Sequence, residues 1–344
     1  MRFGLFIPQG WRMDLVGIDP AQQWEAMAGL ASYADDGDTF ESIWVYDHFH
    51  TVPVVSDEAT HEAWTLMSAL AASTTRIRLG QMCTCVSYRN PAYLAKVAAT
   101  VDVISGGRLE MGIGGGWYEK EWRAYGYGFP SAGERLGRLR EGVQIFRDMW
   151  TTGSATLDGK HYQVEGARCA PRPLQGTSVP GSEANGIPIW VAGGGEKVTL
   201  RIAAQYADYT NFYDDAETFS RKSDVLREHC RAVGRDFDSI VRTGDFNVVI
   251  GETEADVEDR LRFHADLLRR GGVPDARIER QIDNLRTQPA VGTPEQVVEV
   301  MQDMERRGMG YGILYFQEAA HDRSGIELFE NTVARELRGS PAPA

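Results

Sequence analysis

The sequence predicts an α/β protein with the (β/α)8 TIM-barrel fold. Eight short apolar segments, typical of buried parallel strands, follow one another along the 344 residues. Between them lie segments whose apolar residues recur at helical spacing, so strands and helices alternate. Eight well-spaced strands favour closure into a barrel over the alternative, an open doubly wound sheet.

The predicted strands are short and apolar. They cover residues 3–7, 42–46, 77–82, 109–113, 187–192, 209–212, 244–250 and 312–316. Helical patterns cover residues 20–35, 61–74, 134–150, 198–206 and 294–308, and a further helix begins at Pro91. Pro91 and Pro294 are placed where a first helical turn tolerates proline. Asn90 and Thr293, which precede them, are residue types that cap helix N-termini.

We expect a single domain over residues 1–339, followed by a disordered tail at 340–344. Two insertions interrupt the alternation. The insertion near 151–186 is rich in Gly, Pro and Ser and contains a hairpin-like stretch at 155–164 that turns at Asp158-Gly159. The insertion near 271–292 reads as a polar connection before the last predicted helix.

Composition excludes several classes of protein. The net charge of −13 argues against nucleic acid or an anionic membrane as a partner. No apolar run reaches the ~20 residues needed to span a bilayer. The N-terminus enters a strand at once, so we expect no leader peptide. Four cysteines in a chain of this length form no disulfide framework, which indicates a reduced, cytoplasmic setting.

The first chemical signal is a glycine-rich turn in a βαβ unit between residues 76 and 130. The strand ends at Met82-Cys83 and at Gly114, Gly115 and Gly116 should share one edge of a parallel sheet. Three residues without Cβ atoms would let a flat or anionic ligand approach the backbone. The run is a weak Rossmann fingerprint, because Trp117 stands where the last glycine would be. The pattern therefore predicts a cofactor at a barrel mouth.

The second signal is Asp47-His48, which ends the predicted strand 42–46. Ionisable residues at the carboxyl end of a barrel strand are frequently catalytic, and histidine can handle protons near neutral pH. The alternative is that Asp47 caps the loop and His48 only bonds to a neighbour. His48-Phe49-His50 could also begin a metal site, but other strand ends offer no further ligands, so we expect no metal.

A second glycine turn comprises Gly193, Gly194 and Gly195 and runs directly into the predicted helix 198–206. A strand, glycines and a helix N-terminus form a suitable cradle for phosphate, because unpaired amides and the helix dipole both favour an anion. The alternative interpretation is an ordinary βα turn.

With these motifs in place, the chain resembles the luciferase-like monooxygenase superfamily. Within it, the chain is most similar to the actinobacterial oxidoreductases that use the deazaflavin coenzyme F420. The resemblance spans nearly the whole chain and is carried by MRFGLFIPQG, SIWVYDHF, LGQMCTCVSYRNPAYLAKVAATVDVISGGRLEMGIGGGWYEKEWRAYG and PIWVAGGGEK. It implies a TIM barrel and an oxidoreductase, and it allows a homodimer.

The resemblance also implies roles for individual residues. Asp47 and His48 would lie beside the isoalloxazine-type ring, with His48 as proton donor or ring-polarising group and Asp47 placing the loop or the cofactor. Met82 and Cys83 would lie where the family often has a non-proline cis peptide against the ring. The cofactor tail would contact Gly114, Gly115 and Gly116, and its phosphate would bind at Gly193, Gly194 and Gly195.

The chain departs from the sugar-phosphate dehydrogenases of this superfamily, which carry glutamate where Trp117 stands and phosphate-binding lysines that this lysine-poor chain mostly lacks. We therefore expect a small organic substrate that is apolar or conjugated. The aromatic residues expected around it are Trp11, Phe49, Trp117, Tyr118, Tyr213 and Phe316.

Three functions remain open on the sequence. The leading hypothesis is hydride transfer between F420 and the organic substrate. The second is an FMN-dependent monooxygenase that activates O2. The third is a non-catalytic flavin-binding protein.

Overall fold

The structure is a computed structural model that describes residues 1–175, 186–212 and 215–339. The predicted tail at 340–344, Tyr213 and part of the first insertion, 176–185, lie outside the described residues. The described chain divides into two compact units. The first contains residues 1–62, 215–216 and 243–339, and the second contains residues 63–175, 186–212 and 217–242. A single domain over residues 1–339 stays a prediction.

The described strands are mostly short. They are β1 (Arg2–Phe6), β2 (Phe40–Val45), β3 (Arg78–Gln81), β4 (Thr84–Cys85), β5 (Leu109–Gly114), β6 (Ser154–Asp158), β7 (Gln163–Arg168), β8 (Ile189–Ala192), β9 (Tyr209–Asn211), β10 (Val241–Asn247), β11 (Val249–Ile250), β12 (Val291–Gly292) and β13 (Met309–Tyr315).

The α-helices lie between these strands and after the last of them. They are α1 (Pro20–Asp36), α2 (Ala63–Ser73), α3 (Pro91–Ser105), α4 (Glu119–Ala124), α5 (Ala132–Thr152), α6 (Thr199–Tyr206), α7 (Ala216–Val233), α8 (Glu254–Arg270), α9 (Asp275–Arg286), α10 (Pro294–Arg306), α11 (Ser324–Phe329) and α12 (Arg335–Gly339). A 3₁₀ turn covers Phe237–Ser239, and a π-helical turn covers Glu330–Ala334. None of the helices in the described part of the chain is long and apolar enough to cross a bilayer.

The first unit contains a sheet in the order β2, β1, β13, β10. β1 pairs in parallel with β13, from Arg2 opposite Tyr311 to Leu5 opposite Leu314, and pairs in parallel with β2 on its other side. Since these strands run in one direction, the residues that follow β1, β2 and β13 lie at the same edge of this sheet.

The second unit contains a parallel sheet centred on β5. β8 lies beside β5 and β9 lies beside β8, while β3 and β4 both pair with β5. Trp190 of β8 is opposite Tyr209 of β9, and their rings stack with centroids 4.0 Å apart. The residues that follow β3, β5 and β8 therefore lie at one edge of the second sheet.

All eight predicted strands are present, with ends that differ by a few residues. The predicted strand 244–250 is divided into β10 and β11, because the N–H of Val248 bonds to the carbonyl of Tyr315 while β11 pairs with the short β12. The capping prediction for Asn90 is confirmed: its side chain accepts from the N–H groups of Ala92 and Tyr93.

The expectation of a purely polar connection near 271–292 is wrong, because this segment contains helix α9. The buried Ile278 and Ile282 lie one helical turn apart and pack into an apolar cluster with Leu261 and Leu268 of α8. Arg286 also forms a two-pronged ion pair with Glu258, at 2.9 and 3.0 Å. Many charged residues surround the two isoleucines, so the apolar stripe is hard to see in the sequence.

The predicted hairpin is confirmed as β6 and β7, which pair antiparallel. Its loop is held by the buried carboxylate of Glu141, on α5. This carboxylate accepts from the backbone N–H groups of Lys160, His161 and Tyr162 at 3.1, 2.9 and 2.9 Å. The hairpin is therefore attached to α5 by three charge-assisted hydrogen bonds.

Arg108 closes the C-terminal end of α2. Its buried guanidinium donates to the carbonyl oxygens of Ala71 and Thr74, both at 2.8 Å, and to the hydroxyl of Thr74 at 2.8 Å. The last carbonyl groups of a helix lack intrahelical partners, and a cation there is favoured by the helix dipole. An arginine from the start of β5 therefore supplies the donors that α2 lacks.

Asp14 and Tyr315 join the segment after β1 to the end of β13. The buried carboxylate of Asp14 accepts from the N–H of Gly10 at 2.6 Å and from the hydroxyl of Tyr315 at 2.8 Å. Burial raises the pKa of Asp14, and this effect outweighs the two hydrogen bonds and the charge of Arg12, which all act to lower that pKa.

We expect Arg108→Met to lower the free energy of unfolding by about 3 kcal/mol, because buried carbonyl oxygens lose their donors. Urea unfolding followed by circular dichroism measures the change. Arg168→Met, which alters an exposed arginine on β7, is the control and should stay within about 0.5 kcal/mol of the parent. Equal stability of the parent and Arg108→Met would contradict the capping role.

We expect Tyr315→Phe to lower the free energy of unfolding at neutral pH by about 2 kcal/mol, because the buried Asp14 carboxylate loses a donor. The loss should shrink as the pH falls through the raised pKa of Asp14, because the protonated carboxyl group needs that donor less. Urea unfolding at a series of pH values tests this. A loss that is the same at every pH would show that Asp14 is not the group responsible.

Candidate active site

His48 follows β2, and its ring lies flat on the indole of Trp11. The ring centroids are 4.1 Å apart and the planes differ by 6°. Asp47, the preceding residue, is 2% exposed. The indole N–H of Trp11 is buried and has no hydrogen-bond partner among the described residues. The segment after β1 thus fixes the plane of the His48 imidazole and holds an unused donor beside it.

Arg12 lies among three aromatic rings at the same edge of the first unit's sheet. Its guanidinium carbon is 5.3, 5.4 and 4.7 Å from the ring centroids of Trp11, Tyr46 and Tyr315. A cation over an aromatic face is attracted by the negative face of the ring. Arg12 also donates to the side-chain oxygen of Asn247. This edge therefore combines one cation with flat apolar surfaces.

The end of β3 contains a cis peptide bond between Met82 and Cys83, at the position that the resemblance implies. Gln81, just before it, is 1% exposed. Its side-chain oxygen accepts from the hydroxyl of Thr84 at 2.7 Å, while its side-chain nitrogen has no partner among the described residues. A buried amide donor is therefore available at this strand end.

The first glycine turn is explained in part by the packing of the protein itself. A Cβ on Gly114 would lie 2.7 Å from the sulfur of Cys83, and one on Gly116 would lie 2.6 Å from the sulfur of Cys85. Gly116 also has a φ of 76°, which disfavours other residues. Gly115 has more room, with the nearest atom, in Leu136, at 3.3 Å. Contact of these glycines with a cofactor stays a prediction.

At the second glycine turn, the side chain of Lys222 lies against the backbone of Gly194. A Cβ on Gly194 would lie 2.5 Å from the ammonium nitrogen of Lys222, on α7. Gly193 has a φ of 111°, and a Cβ on Gly195 would lie 2.8 Å from the hydroxyl of Thr199, at the start of α6. An ammonium group and the amides of a helix N-terminus both attract an anion. The turn therefore suits a phosphate group.

Helix α7 holds this turn through further side chains. Arg221 forms an ion pair with Glu196, and the Nε2 atom of His229 bonds to the carbonyl of Glu196 at 2.7 Å. The chain has five lysines, and two of them, Lys197 and Lys222, lie at this turn. A concentration of scarce lysines supports an anion site over an ordinary turn.

The structure places the predicted site residues in both units. Asp47 and His48 belong to the first unit, and all the others belong to the second. Within the second unit, Cys83 packs against Gly114. In each unit the predicted residues lie at or just after the carboxyl ends of parallel strands.

The predicted aromatic residues have different surroundings. Trp11 contacts His48, whereas Phe316 is 1% exposed and packs against Phe329 of α11. Phe316 therefore belongs to the core. Neighbouring residues of an extended chain point to opposite sides, and the side chain of Tyr315 points towards Arg12. Trp117 is 63% exposed and stacks on Tyr118.

Sequence reasoning missed five polar residues of these strand-end groups. They are Arg12, Tyr46, Asn247, Tyr315 and Lys222. Tyr46 and Tyr315 lie at or next to predicted strand ends, so a search of those ends for polar residues would have found them. Asn247 lies in the middle of the predicted strand 244–250, and Arg12 lies six residues after β1. Lys222 lies inside α7, and its scarcity as a lysine was the one signal in the sequence.

Comparison with known proteins identifies the family. Residues 1–310 match the model of the luciferase-like monooxygenase family. The chain is 30% identical to the F420-dependent glucose-6-phosphate dehydrogenase of Kineococcus radiotolerans, over 73% of each chain. It is 31% identical to the pyrimidine monooxygenase RutA of Stutzerimonas stutzeri over 56% of this chain, and spans about half of that relative, 51%.

Solved structures share the fold. An F420-dependent secondary alcohol dehydrogenase in complex with an F420–acetone adduct aligns with a TM-score of 0.72 at 19% identity, over 96% of this chain and 97% of its own. A riboflavin lyase with modified FMN and riboflavin aligns with a TM-score of 0.77 at 15% identity, over 100% of this chain and 92% of its own. The predicted (β/α)8 barrel is confirmed. Since the family model covers residues 1–310, the chain belongs to the luciferase-like monooxygenase family.

Proposed function

We propose that this protein is an oxidoreductase that transfers a hydride between the deazaflavin F420 and a small apolar or conjugated organic substrate. The observation that carries the proposal is the turn Gly193–Gly195, where Lys222 and the start of α6 together suit the phosphate of such a cofactor. The unused donor of Gln81 and the unused donor of Trp11 also fit a cofactor or substrate rich in acceptor atoms.

A relative that matches this chain along its whole length supports F420. The F420-dependent glucose-6-phosphate dehydrogenase of Gordonia bronchialis is 26% identical over 96% of this chain and 97% of its own. The match to RutA covers about half of each protein. Likeness along the whole chain includes every strand end, and strand ends are where a barrel binds its cofactor.

The bound deazaflavin would accept or donate the hydride. The residues of this chain would bind and orient the cofactor and would supply a proton or polarise its ring. His48 is assigned as proton donor or ring-polarising group, because the stack on Trp11 holds its imidazole in one plane. Asp47 is assigned to placing the loop or the cofactor. Lys222 and the amides of Gly194 and Gly195 would hold the phosphate.

The substrate is assigned from the edge of the first unit's sheet. Trp11, Tyr46 and Tyr315 are buried and surround Arg12 with aromatic rings, and Arg12 is the positive group assigned to an oxygen atom of the substrate. A sugar phosphate is disfavoured, because Trp117 replaces the glutamate of those dehydrogenases and the lysines at Gly193–Gly195 are assigned to the cofactor.

An FMN-dependent monooxygenase is the second candidate. The RutA relatives and the riboflavin lyase, whose structure contains modified FMN, support it. The two candidates differ in their need for O2, because a deazaflavin transfers hydride without useful oxygen activation. Turnover that persists without oxygen favours the first candidate. A non-catalytic flavin-binding protein would bind the cofactor tightly and show no turnover at all.

We expect the purified protein to bind F420 more tightly than FMN in a titration followed by fluorescence quenching. Lys222→Ala should weaken F420 binding about tenfold, because a charge-assisted bond to phosphate is lost. Arg168→Ala, on the exposed strand β7, is the matched control and should leave the affinity unchanged. A clear preference for FMN would overturn the cofactor assignment.

We expect His48→Ala to lower turnover about 100-fold or more while F420 affinity changes far less, because a positioned proton donor acts on the reaction step. Reduced F420 is mixed with a panel of quinones and enones, the recovery of F420 fluorescence gives the rate, and a titration gives the affinity. His50→Ala is the control. Unchanged turnover in His48→Ala would remove His48 from the mechanism.

A further inference from the structure

A positively charged groove lies on the second unit, lined by α5, the β6–β7 hairpin and α6. Its volume is about 550 Å³, and Arg140, Lys197 and Arg201 contribute exposed cationic side chains to its wall. Leu157 and Gly159 of the hairpin line another side. The groove belongs entirely to the second unit.

The three cations have no acidic partner within residues 1–175, 186–212 and 215–339. None of them forms a hydrogen bond or an ion pair with any residue in the described part of the chain. Glu141 is the acidic residue of the lining, and its carboxylate is already engaged by the N–H groups of Lys160, His161 and Tyr162. In a chain of net charge −13, such a groove is a local site for anions.

The groove begins where the proposed phosphate site ends. Lys197 follows Gly195 by two residues, so their Cα atoms are at most about 7.6 Å apart. Arg201 lies further along α6 and lines the same groove as Gln205, one turn later. A flexible group attached to a phosphate at Gly193–Gly195 would therefore reach Lys197 within the length of two residues. Arg201 lies further along α6.

We infer that this groove binds the oligoglutamate tail of F420, an inference that rests on the proposed function. The tail is joined to the cofactor phosphate and adds one carboxylate with each glutamate, whereas FMN ends at its phosphate. A row of cations running from the phosphate turn matches a flexible polyanion attached there. The groove would therefore distinguish F420 from FMN by a part of the cofactor that takes no part in hydride transfer.

The test compares the affinity of the protein for F420 without glutamates and for F420 with five glutamates, by fluorescence quenching at low salt. We expect the five-glutamate form to bind about tenfold more tightly, since each exposed ion pair contributes a small factor. The advantage should fall sharply at 0.5 M salt, because screening is then strong over a few ångströms.

The double variant Arg140→Gln with Arg201→Gln should lose most of the advantage and keep the affinity for the glutamate-free form, which also shows that it is folded. Arg168→Gln is the matched control, an exposed arginine of the same unit outside the groove. Both substitutions of the double variant avoid the phosphate turn.

Two results would overturn the inference in different ways. Equal affinity of the parent for both forms of F420 would remove the groove's role and leave the proposed function standing. Binding of FMN without binding of either F420 form would remove the proposed function and the inference with it. A tail advantage that survives unchanged in the double variant would place the tail elsewhere and also overturn the inference.

Discussion

Burial along the parallel strands decides where this protein can carry out chemistry. Every residue of β5 is buried, and β1 is buried from its second residue onward. Neither face of such a strand is open to a ligand, so polar groups are found where the strand ends. His48, Gln81 and the turn Gly193–Gly195 all follow this constraint. Gln81 is the last residue of β3, His48 lies three residues after β2, and Gly193 directly follows β8.

The constraint explains why much of the fold and part of the site could be predicted from the sequence. Buried parallel strands appear as short apolar runs, so all eight were found, and the ionisable or glycine residues that follow them were found with them. Helix α9 was missed because only two of its residues, Ile278 and Ile282, are buried, and charged residues surround them in the sequence. Lys222 was missed because its role depends on how α7 packs against Gly194, and no local pattern records that contact.

The two glycine turns look alike in the sequence but differ in the structure. The space above Gly114 and Gly116 is filled by Cys83 and Cys85, so those glycines serve close packing of strand ends. The space above Gly194 is filled by the far end of the Lys222 side chain, whose positive charge attracts an anion. A glycine run therefore indicates a binding site most clearly when a cation, rather than an apolar atom, occupies the space of the missing Cβ.

The cap that Arg108 places on α2 has a consequence for local unfolding in the second unit. The carbonyl oxygens of Ala71 and Thr74 receive their donors from Arg108, which lies 37 and 34 positions later in the sequence. The last turn of α2 cannot unravel without exposing that guanidinium, and β5 cannot detach without uncapping the helix. The amide protons of α2 and β5 should therefore exchange with solvent as one cooperative block, slower than those of a helix that ends in water.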